Sequence, residues 1–185
     1  MVGYHAASLV TDSYVKGYRD FDVQDTLTPL ELRSRARKIA AINGGLSVIM
    51  VDYIQLMRGQ TKTDNRVQEV GEISRSLKLL AKDLNVPVIA LSQLNRAVDS
   101  RKDHRPMNSD LRESGSIEQD ADVIMFLHRE YIYKTEAERL KDDGEAWLIV
   151  SKNRSGGIAD IPLKYQSEYT TFYDAKQIDS TQYVE

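Results

Sequence analysis

The sequence predicts an α/β fold, with a mainly parallel sheet and an antiparallel extension towards the C-terminus. Short apolar runs rich in Val, Ile and Leu recur along the chain without strict alternation, which is typical of strands buried on both faces. Helix-like stretches separate the early runs, and the order helix, strand, helix, strand indicates parallel pairing. After Tyr131, strand-like runs follow one another through turn-like links such as Ser155-Gly156-Gly157, which favours antiparallel pairing.

Local signals place the individual elements. The strand-like runs lie at 46–51, 86–91, 123–127 and 147–150, with a final pair near Ile161 and Phe172. The first helix begins at Thr28-Pro29-Leu30-Glu31, where the threonine can cap, the proline suits the first turn and the glutamate can complete a capping box. Asn43-Gly44-Gly45 ends this helix. The second helix runs roughly from Arg66 to Leu84 with one apolar stripe, and Asn85 and Pro87 end it.

Composition narrows the class of protein. A chain of 185 residues, 41% hydrophobic and 29% charged, can bury one sizeable core, so a single globular domain is expected. There are no cysteines, and His5, His104 and His128 lie too far apart for a metal-ligand motif, so zinc is not expected. No run approaches the roughly 18 apolar residues that cross a bilayer, so no membrane partner and a cytoplasmic location are expected. The net charge of -3 favours a focused rather than a broad contact with nucleic acid.

The sharpest chemical signal is the apolar run Leu46 to Val51, which ends in Asp52. In an open α/β sheet, ligands bind beyond the carboxyl ends of the strands, so Asp52 is placed to hold Mg²⁺ directly or through water. This is a Walker B arrangement. The alternative is an aspartate that only caps the following loop, because apolar strands followed by aspartate are common.

The next strand-like run ends in Ser92-Gln93-Leu94-Asn95-Arg96. If the two strands are neighbours, Gln93 lies beside Asp52, where a glutamine can contact a γ-phosphate or orient the attacking water. The alternative is a loop amide without a role. Polar tips on two neighbouring strands make a binding site as well supported as that alternative.

Three segments are candidates for anion binding. The stretch from Arg96 to Arg105 can follow a phosphate backbone, or be a solvated loop. The segment from Asp110 to Ser116 resembles a helix start with free backbone donors, which suits phosphate or an ordinary turn. Lys152 and Arg154 are two residues apart in the sequence and precede a glycine turn. In an extended chain their side chains point the same way. They are either an arginine finger with its lysine or solvated residues of a hairpin.

Taken together and in order, these segments resemble the C-terminal motor domain of the replicative DnaB-type DNA helicases, a hexameric RecA-like family. The resemblance extends from about Phe21 to Asp174. It is carried by Leu27-Thr28-Pro29, Arg33-Ser34-Arg35-Ala36-Arg37, Val51-Asp52-Tyr53-Ile54-Gln55-Leu56-Met57, Ile73-Ser74-Arg75-Ser76-Leu77-Lys78, Asn85-Val86-Pro87-Val88, Leu91-Ser92-Gln93-Leu94-Asn95-Arg96 and the run from Ser109 to Asp122.

The resemblance implies a nucleotide site for ATP and Mg²⁺. Asp52 resembles the Walker B acid and metal ligand, and Gln93 resembles the glutamine that contacts the γ-phosphate region of the subunit's own nucleotide. Lys152 and Arg154 resemble the pair that reaches the nucleotide of a neighbouring subunit. Hydrolysis would therefore require a ring of subunits.

The resemblance also implies partners. Arg112, Glu113 and Gly115 resemble the loop that holds the backbone of single-stranded DNA in the central channel. A homo-hexamer follows from the family, and a helicase loader and a primase are further expected partners.

Two parts of the family pattern have no match here. No segment fits the phosphate loop G-x-x-x-x-G-K-[ST], and the stretch Gly59 to Thr63 lacks the glycine before its lysine and follows Asp52. The family's catalytic glutamate also precedes that acid, whereas the first glutamate here is Glu31, in the capping box. The expected fold is therefore a partial RecA-like (P-loop NTPase) fold without the phosphate-loop strand, which leaves an exposed strand edge and predicts poor stability or aggregation.

The expected organisation is an unmatched leader at 1–20, a partial motor domain at 21–175 and a flexible tail at 176–185. The first functional hypothesis is a fragment of an ATP-dependent helicase that translocates on single-stranded DNA and unwinds duplex at the fork. This chain alone is then expected to be inactive. The second hypothesis is a non-catalytic module that binds single-stranded DNA or completes a partner subunit's ATP site. A third, another RecA-like ATPase, is disfavoured by the Ser109 to Asp122 run.

Overall fold

A computed structural model describes residues 27–60, 65–111, 115–139 and 143–175. The predicted leader and tail, like Arg112 and Glu113, lie outside these residues, and the domain boundaries stay a prediction. The chain divides into two compact units, Met1–Asn95 with Ser109–Ala121 and Arg96–Asn108 with Asp122–Glu185. The described helices are α1 (Pro29–Asn43), α2 (Arg66–Leu84), α3 (Gly115–Asp120) and α4 (Glu136–Arg139). The described strands are β1 (Ile49–Val51), β2 (Val88–Ala90), β3 (Val123–His128), β4 (Glu145–Asn153), β5 (Ala159–Gln166) and β6 (Thr171–Asp174).

The predicted capping box opens α1. The Thr28 hydroxyl accepts a hydrogen bond from the backbone N–H of Glu31, and the Glu31 carboxylate accepts one from the Thr28 N–H at 2.8 Å. These bonds satisfy two donors that a helix start otherwise leaves unpaired. The bonds that the Thr28 N–H and hydroxyl donate to the Glu31 carboxylate lower the pKa of Glu31. Gly44 ends the helix with a left-handed φ of 72°. The sequence prediction for this helix is confirmed.

Helix α2 also has the predicted bounds. Asn65 caps its start by accepting hydrogen bonds from the next backbone N–H groups, and Asn85 ends it in the left-handed conformation that asparagine tolerates. Its apolar stripe is buried, with Val70 and Ile73 fully enclosed. This stripe covers the parallel strand pair, because Leu80 packs with Ile49 in one cluster and Ile73 packs near Val51 and Val88 in another.

The fold is a mixed α/β arrangement with parallel and antiparallel sheets. In the first unit, β1 pairs in parallel with β2, and the 19-residue helix α2 makes the long crossover that parallel neighbours need. In the second unit, β3, β4, β5 and β6 form an antiparallel sheet in that order.

Two expectations are wrong for the described residues. Their pairing is mainly antiparallel, and it includes β3, which ends before Tyr131, where antiparallel pairing was expected to begin. The antiparallel pairing of β4, β5 and β6 confirms the expected extension, because short turns join these strands and such links permit only reversed neighbours. β3 differs because its neighbour in the sheet is β4, a choice of partner that a local apolar pattern does not specify. Burial on both faces also fails for β3, whose residues alternate, because Ile124 and Phe126 are buried while Met125 is 53% exposed. No described helix is both long and apolar enough to cross a membrane.

Candidate functional site

The candidate site in the first unit begins where the two parallel strands end together. Val51 pairs with Ala90, so the carboxyl ends of β1 and β2 meet at one edge of the sheet. Asp52 follows β1 directly, and Gln93 follows β2 after two residues. The structure therefore brings both predicted residues to the same edge, which is where ligands bind in such sheets.

The backbone hydrogen bonds beyond this edge leave Asp52 outside the ladder. The N–H of Leu91 donates to the carbonyl of Val51, and the carbonyl of Leu91 accepts from the N–H of Ile54, each at 2.9 Å. Asp52 and Tyr53 lie between these two bonds. The chain thus bulges at the acid, and the carboxylate leaves the sheet at its ligand-binding edge.

Burial shapes the chemistry of Asp52. The side chain is half-buried, and this desolvation raises the pKa of its carboxyl group above the usual aspartate value. A bound cation would offset that cost. Mg²⁺ prefers oxygen ligands and keeps several waters, so one carboxylate at the end of a strand fits a Mg²⁺ site completed by nucleotide phosphates.

A second amide side chain, that of Gln55, links the two strand ends. Its Oε1 accepts a hydrogen bond from the N–H of Gln93 at 3.2 Å. Its Nε2 donates to Ser92 Oγ at 3.0 Å and to the Gln93 carbonyl at 3.5 Å. Sequence reasoning gave Gln55 no role. The available signal was its position three residues after Asp52, in the loop that faces the end of β2.

The segment after Gln93 pairs with the residues that precede the predicted DNA loop. Leu94 forms an isolated antiparallel bridge with Leu111, and the N–H of Asn95 donates to the carbonyl of Asp110 at 2.6 Å. Asp110 and Leu111 are buried. This bridge joins the residue after Gln93 to the residue before position 112. Of the predicted DNA-binding residues, Arg112 and Glu113 lie outside the described residues.

The far end of that loop is fixed to α2. Gly115 is exposed and opens α3, which packs on α2 where Gly71 lets Ser116 approach closely. Ser74, on the buried face of α2, donates a hydrogen bond to Asp120 Oδ2 at 2.9 Å. The contacts of Gly71 with Ser116 and of Ser74 with Asp120 form the seat of α3 on α2. They hold the first residue of α3 near the middle of α2.

Lys152 and Arg154 belong to the second unit. Lys152 lies in β4 opposite Ile124, whereas Val150 lies opposite Met125, so Ser151 is an extra residue in β4. The Ser151 hydroxyl donates to Asn108 Oδ1 at 2.7 Å, which holds this bulge. Bulges commonly re-aim side chains beside functional sites. The alternation of side-chain directions that the sequence predicted is therefore interrupted at Ser151, just before Lys152 and Arg154.

Arg154 stands in the turn after β4, not in the strand. Its N–H donates to the Asp122 carbonyl at 2.9 Å, and its guanidinium meets Asp122 Oδ1 at 3.2 Å. Both side chains are about half exposed, so the ion pair orients Arg154 more than it stabilises the fold. Asp122 is a second residue that sequence reasoning left without a role.

The basic stretch from Arg96 to Arg105 is anchored within the second unit. Tyr133 donates to Asp99 Oδ1 at 3.0 Å and stacks on His104 with ring centroids 3.8 Å apart. Arg105 pairs with Asp160 at 2.6 Å. The stretch is thus fixed by side-chain contacts, while Lys102 remains exposed. No group of three or more metal-ligating side chains occurs among residues 27–60, 65–111, 115–139 and 143–175.

Comparison with known proteins gives the same class of fold. The family model of the DnaB-like helicase C-terminal domain matches residues 15–174. The chain is 57% identical over 151 residues to the replicative DNA helicase DnaB of Pasteurella multocida and 56% identical to that of Haemophilus influenzae. Each match covers 82% of this chain but 32% of the relative, so the chain spans about a third of the length of these proteins.

Two solved structures are similar. One is an ATPase domain, which superposes with a TM-score of 0.74 at 40% identity, covering 80% of this chain and 51% of that one. A DnaB-like replicative helicase described with its interactions with primase gives 0.72 at 40% identity, covering 79% of this chain and 35% of that one. The fold is similar to that of RecA-like ATPase domains. Within that class, the chain belongs to the DnaB-like helicase C-terminal domain family.

Proposed function

We propose that this chain is part of the motor domain of an ATP-dependent replicative DNA helicase that moves on single-stranded DNA as a hexamer. The observation that carries the proposal is the convergence of Asp52 and Gln93 at the paired ends of β1 and β2, within a chain of the DnaB-like family. An acid for Mg²⁺ and an amide for the terminal phosphate are what phosphoryl transfer needs at that edge.

The proposed roles divide between two nucleotides. Asp52 holds Mg²⁺ and Gln93 contacts the γ-phosphate region of the chain's own ATP, while Lys152 and Arg154 serve the ATP of a neighbouring subunit. The exposure of Arg154 and its tether to Asp122 support a residue that reaches outwards. The phosphate cradle and the general base, which have no match in this sequence, come from residues outside it.

The proposed DNA contact is the loop of Arg112, Glu113 and Gly115. Support comes from both flanks of the loop, since the Leu94 to Leu111 bridge fixes one end and the seat of α3 on α2 fixes the other. The described residues on both sides of the loop are thus fixed within the first unit. Loader and primase contacts, and a cytoplasmic location, remain family-based proposals.

The second candidate is a non-catalytic module that binds single-stranded DNA or completes a partner's ATP site. The observation that favours it is Arg154, which is exposed and placed in a turn of the second unit. Such a module would act on a neighbouring nucleotide without hydrolysing its own.

A complementation experiment tests the finger role. An intact DnaB whose own finger residues are replaced by alanine is mixed with this chain, and ATP hydrolysis is measured. The wild-type chain is expected to restore hydrolysis by about 100-fold or more, the scale of a lost transition-state charge contact. Arg154→Ala should not restore it, whereas Lys164→Ala, which removes a lysine paired with Asp143, should. Equal rescue by wild type and Arg154→Ala would contradict the assignment.

The remaining arms separate the two candidates. Measurable hydrolysis by the chain alone would contradict the proposal that the phosphate cradle lies elsewhere. Polarisation of a labelled oligo(dT) tests the DNA loop, where Arg112→Ala is expected to weaken binding and the exposed control Arg58→Ala is not. Rescue and DNA binding without duplex unwinding by the mixture would favour the non-catalytic module.

A further inference from the structure

We propose that Gln55 is a positioning residue, which holds the main chain of Gln93 so that the Gln93 side chain faces the nucleotide. This inference rests on the proposed function, because it concerns the same nucleotide site. The relevant observation is that the Gln55 carboxamide makes both a donor and an acceptor contact with the main chain of Gln93.

The need for such a contact follows from where β2 ends. Regular pairing with β1 stops at Ala90, and the last backbone bonds between the two segments are made by Leu91. The main chain of Gln93 lies beyond them and before the Leu94 to Leu111 bridge. A carboxamide carries one acceptor and one donor group, as a peptide unit does, so the Gln55 side chain extends the ladder by one step.

Gln55 can do this because its own backbone is fixed. Its carbonyl accepts a hydrogen bond from Arg66 Nη2 at 2.6 Å, and Arg66 is ion-paired with Glu69 in the first turn of α2. Glu69 in turn accepts a hydrogen bond from the N–H of Gly59 at 2.8 Å, which lowers the pKa of its carboxyl group. The start of α2 therefore clamps the loop that carries Gln55.

The effect on Gln93 is one of orientation. Ser92 Oγ also accepts from Gln55 Nε2, so two successive residues are held by one side chain. Without these bonds, the backbone at Gln93 gains conformations in which the side chain faces elsewhere. A hydrogen bond of this kind contributes about 1 kcal/mol, which corresponds to roughly a fivefold change in population.

The structural test is amide hydrogen exchange on the chain. In Gln55→Met, which keeps length and apolar bulk but loses both polar groups, protection of the Gln93 N–H should fall about fivefold. The exposed control Gln60→Met should leave it unchanged, and protection within α2 should be the same in all variants. Gln55→Glu keeps an acceptor and should retain most of the protection. Unchanged Gln93 protection in Gln55→Met would overturn the proposal.

The functional test uses this chain joined to a phosphate-loop segment of the family, which the proposed function places outside the chain, and it compares MgATP with MgADP by following the side-chain amide resonance of Gln93. The wild-type chain should show a shift with MgATP that MgADP does not produce, and Gln55→Met should need about fivefold more MgATP for half of that shift. Loss of the ATP-specific shift in the wild type would overturn the proposed function, while the exchange result would still decide the main-chain contact. An equal shift at equal MgATP in both proteins would overturn the positioning role.

Discussion

At the scale of single residues, the site combines a carboxylate whose burial costs free energy with the Gln55 carboxamide, whose donor and acceptor groups are both hydrogen-bonded. Asp52 is excluded from the strand ladder and partly desolvated, whereas the backbone of Gln93 is held by Gln55. Partial burial of an ionised carboxylate destabilises a fold, and functional sites commonly accept that cost. This cost of burying the Asp52 carboxylate predicts a measurable change in stability when Asp52 is replaced.

Replacing Asp52 with asparagine should stabilise the chain at neutral pH. Because burial raises the pKa of Asp52, the folded state binds this proton more tightly than the unfolded state, and ionisation above that pKa works against folding. Asp52→Asn should therefore raise Tm by about 1–3 °C at pH 7 in the absence of Mg²⁺.

The gain from Asp52→Asn should shrink as pH falls through the raised pKa and vanish below about pH 3.9, the ordinary aspartate value, where both states are protonated. Thermal scans at several pH values measure this. The control is Glu136→Gln, which makes the same change from acid to amide at an exposed position. A lower Tm for Asp52→Asn at pH 7 would argue that Asp52 is a structural cap.

At the scale of elements, helix α2 connects the parts of the first unit. Its first turn fixes the Gln55 loop through Arg66, its apolar stripe covers β1 and β2, and its middle seats α3 through Gly71 and Ser74. One rigid helix therefore contacts both the strand-end site and the element that follows the predicted DNA loop. The seat of α3 is the part that can be tested separately.

The bond between Ser74 and Asp120 should stabilise the seat of α3. Ser74→Ala removes a buried donor from a carboxylate, so unfolding free energy should fall by about 1–2 kcal/mol. Urea denaturation measures it, with Ser34→Ala on an exposed face of α1 as the matched control. A double-mutant cycle with Asp120→Ala should give a coupling of about 1 kcal/mol, and strict additivity would show that the bond does not form in solution.

At the scale of the whole molecule, the antiparallel sheet exposes an apolar face on β3. Val123, Met125 and Leu127 are 45%, 53% and 51% exposed, and they lie on the same side of one strand. Contiguous apolar surface of this kind promotes association. The sequence predicted aggregation from an uncovered strand edge, and the structure adds an exposed apolar strand face.

Met125→Thr should reduce self-association of the isolated chain without loss of its fold. Threonine keeps a high strand propensity and removes apolar surface from the centre of the exposed face. Light scattering after size exclusion, over a range of concentrations, measures the change. Met107→Thr is the control, because Met107 is 45% exposed but lies away from β3 in sequence. A wild-type chain that stays monomeric at high concentration would contradict this prediction.

The sequence alone determined the elements whose signals are local. The capping box of Thr28 and Glu31, the end of α2 at Asn85 and the place of Asp52 after an apolar strand depend on residues a few positions apart. The order of helix and strand then brought Gln93 to the same edge as Asp52, and the parallel pairing of β1 and β2 is confirmed.

Only the tertiary structure decided what depends on register between distant segments. The contact between Gln55 and Gln93 spans 38 residues. The bulge at Ser151 shifts the side-chain alternation of β4, and β3 pairs with β4 while one of its faces stays exposed. A local pattern fixes the period of an element, but not which strand lies beside it or where pairing slips by one residue. Asp52 and Gln93 at the strand ends could therefore be predicted from the sequence, whereas Gln55, whose side chain is hydrogen-bonded to the main chain of Gln93, could not.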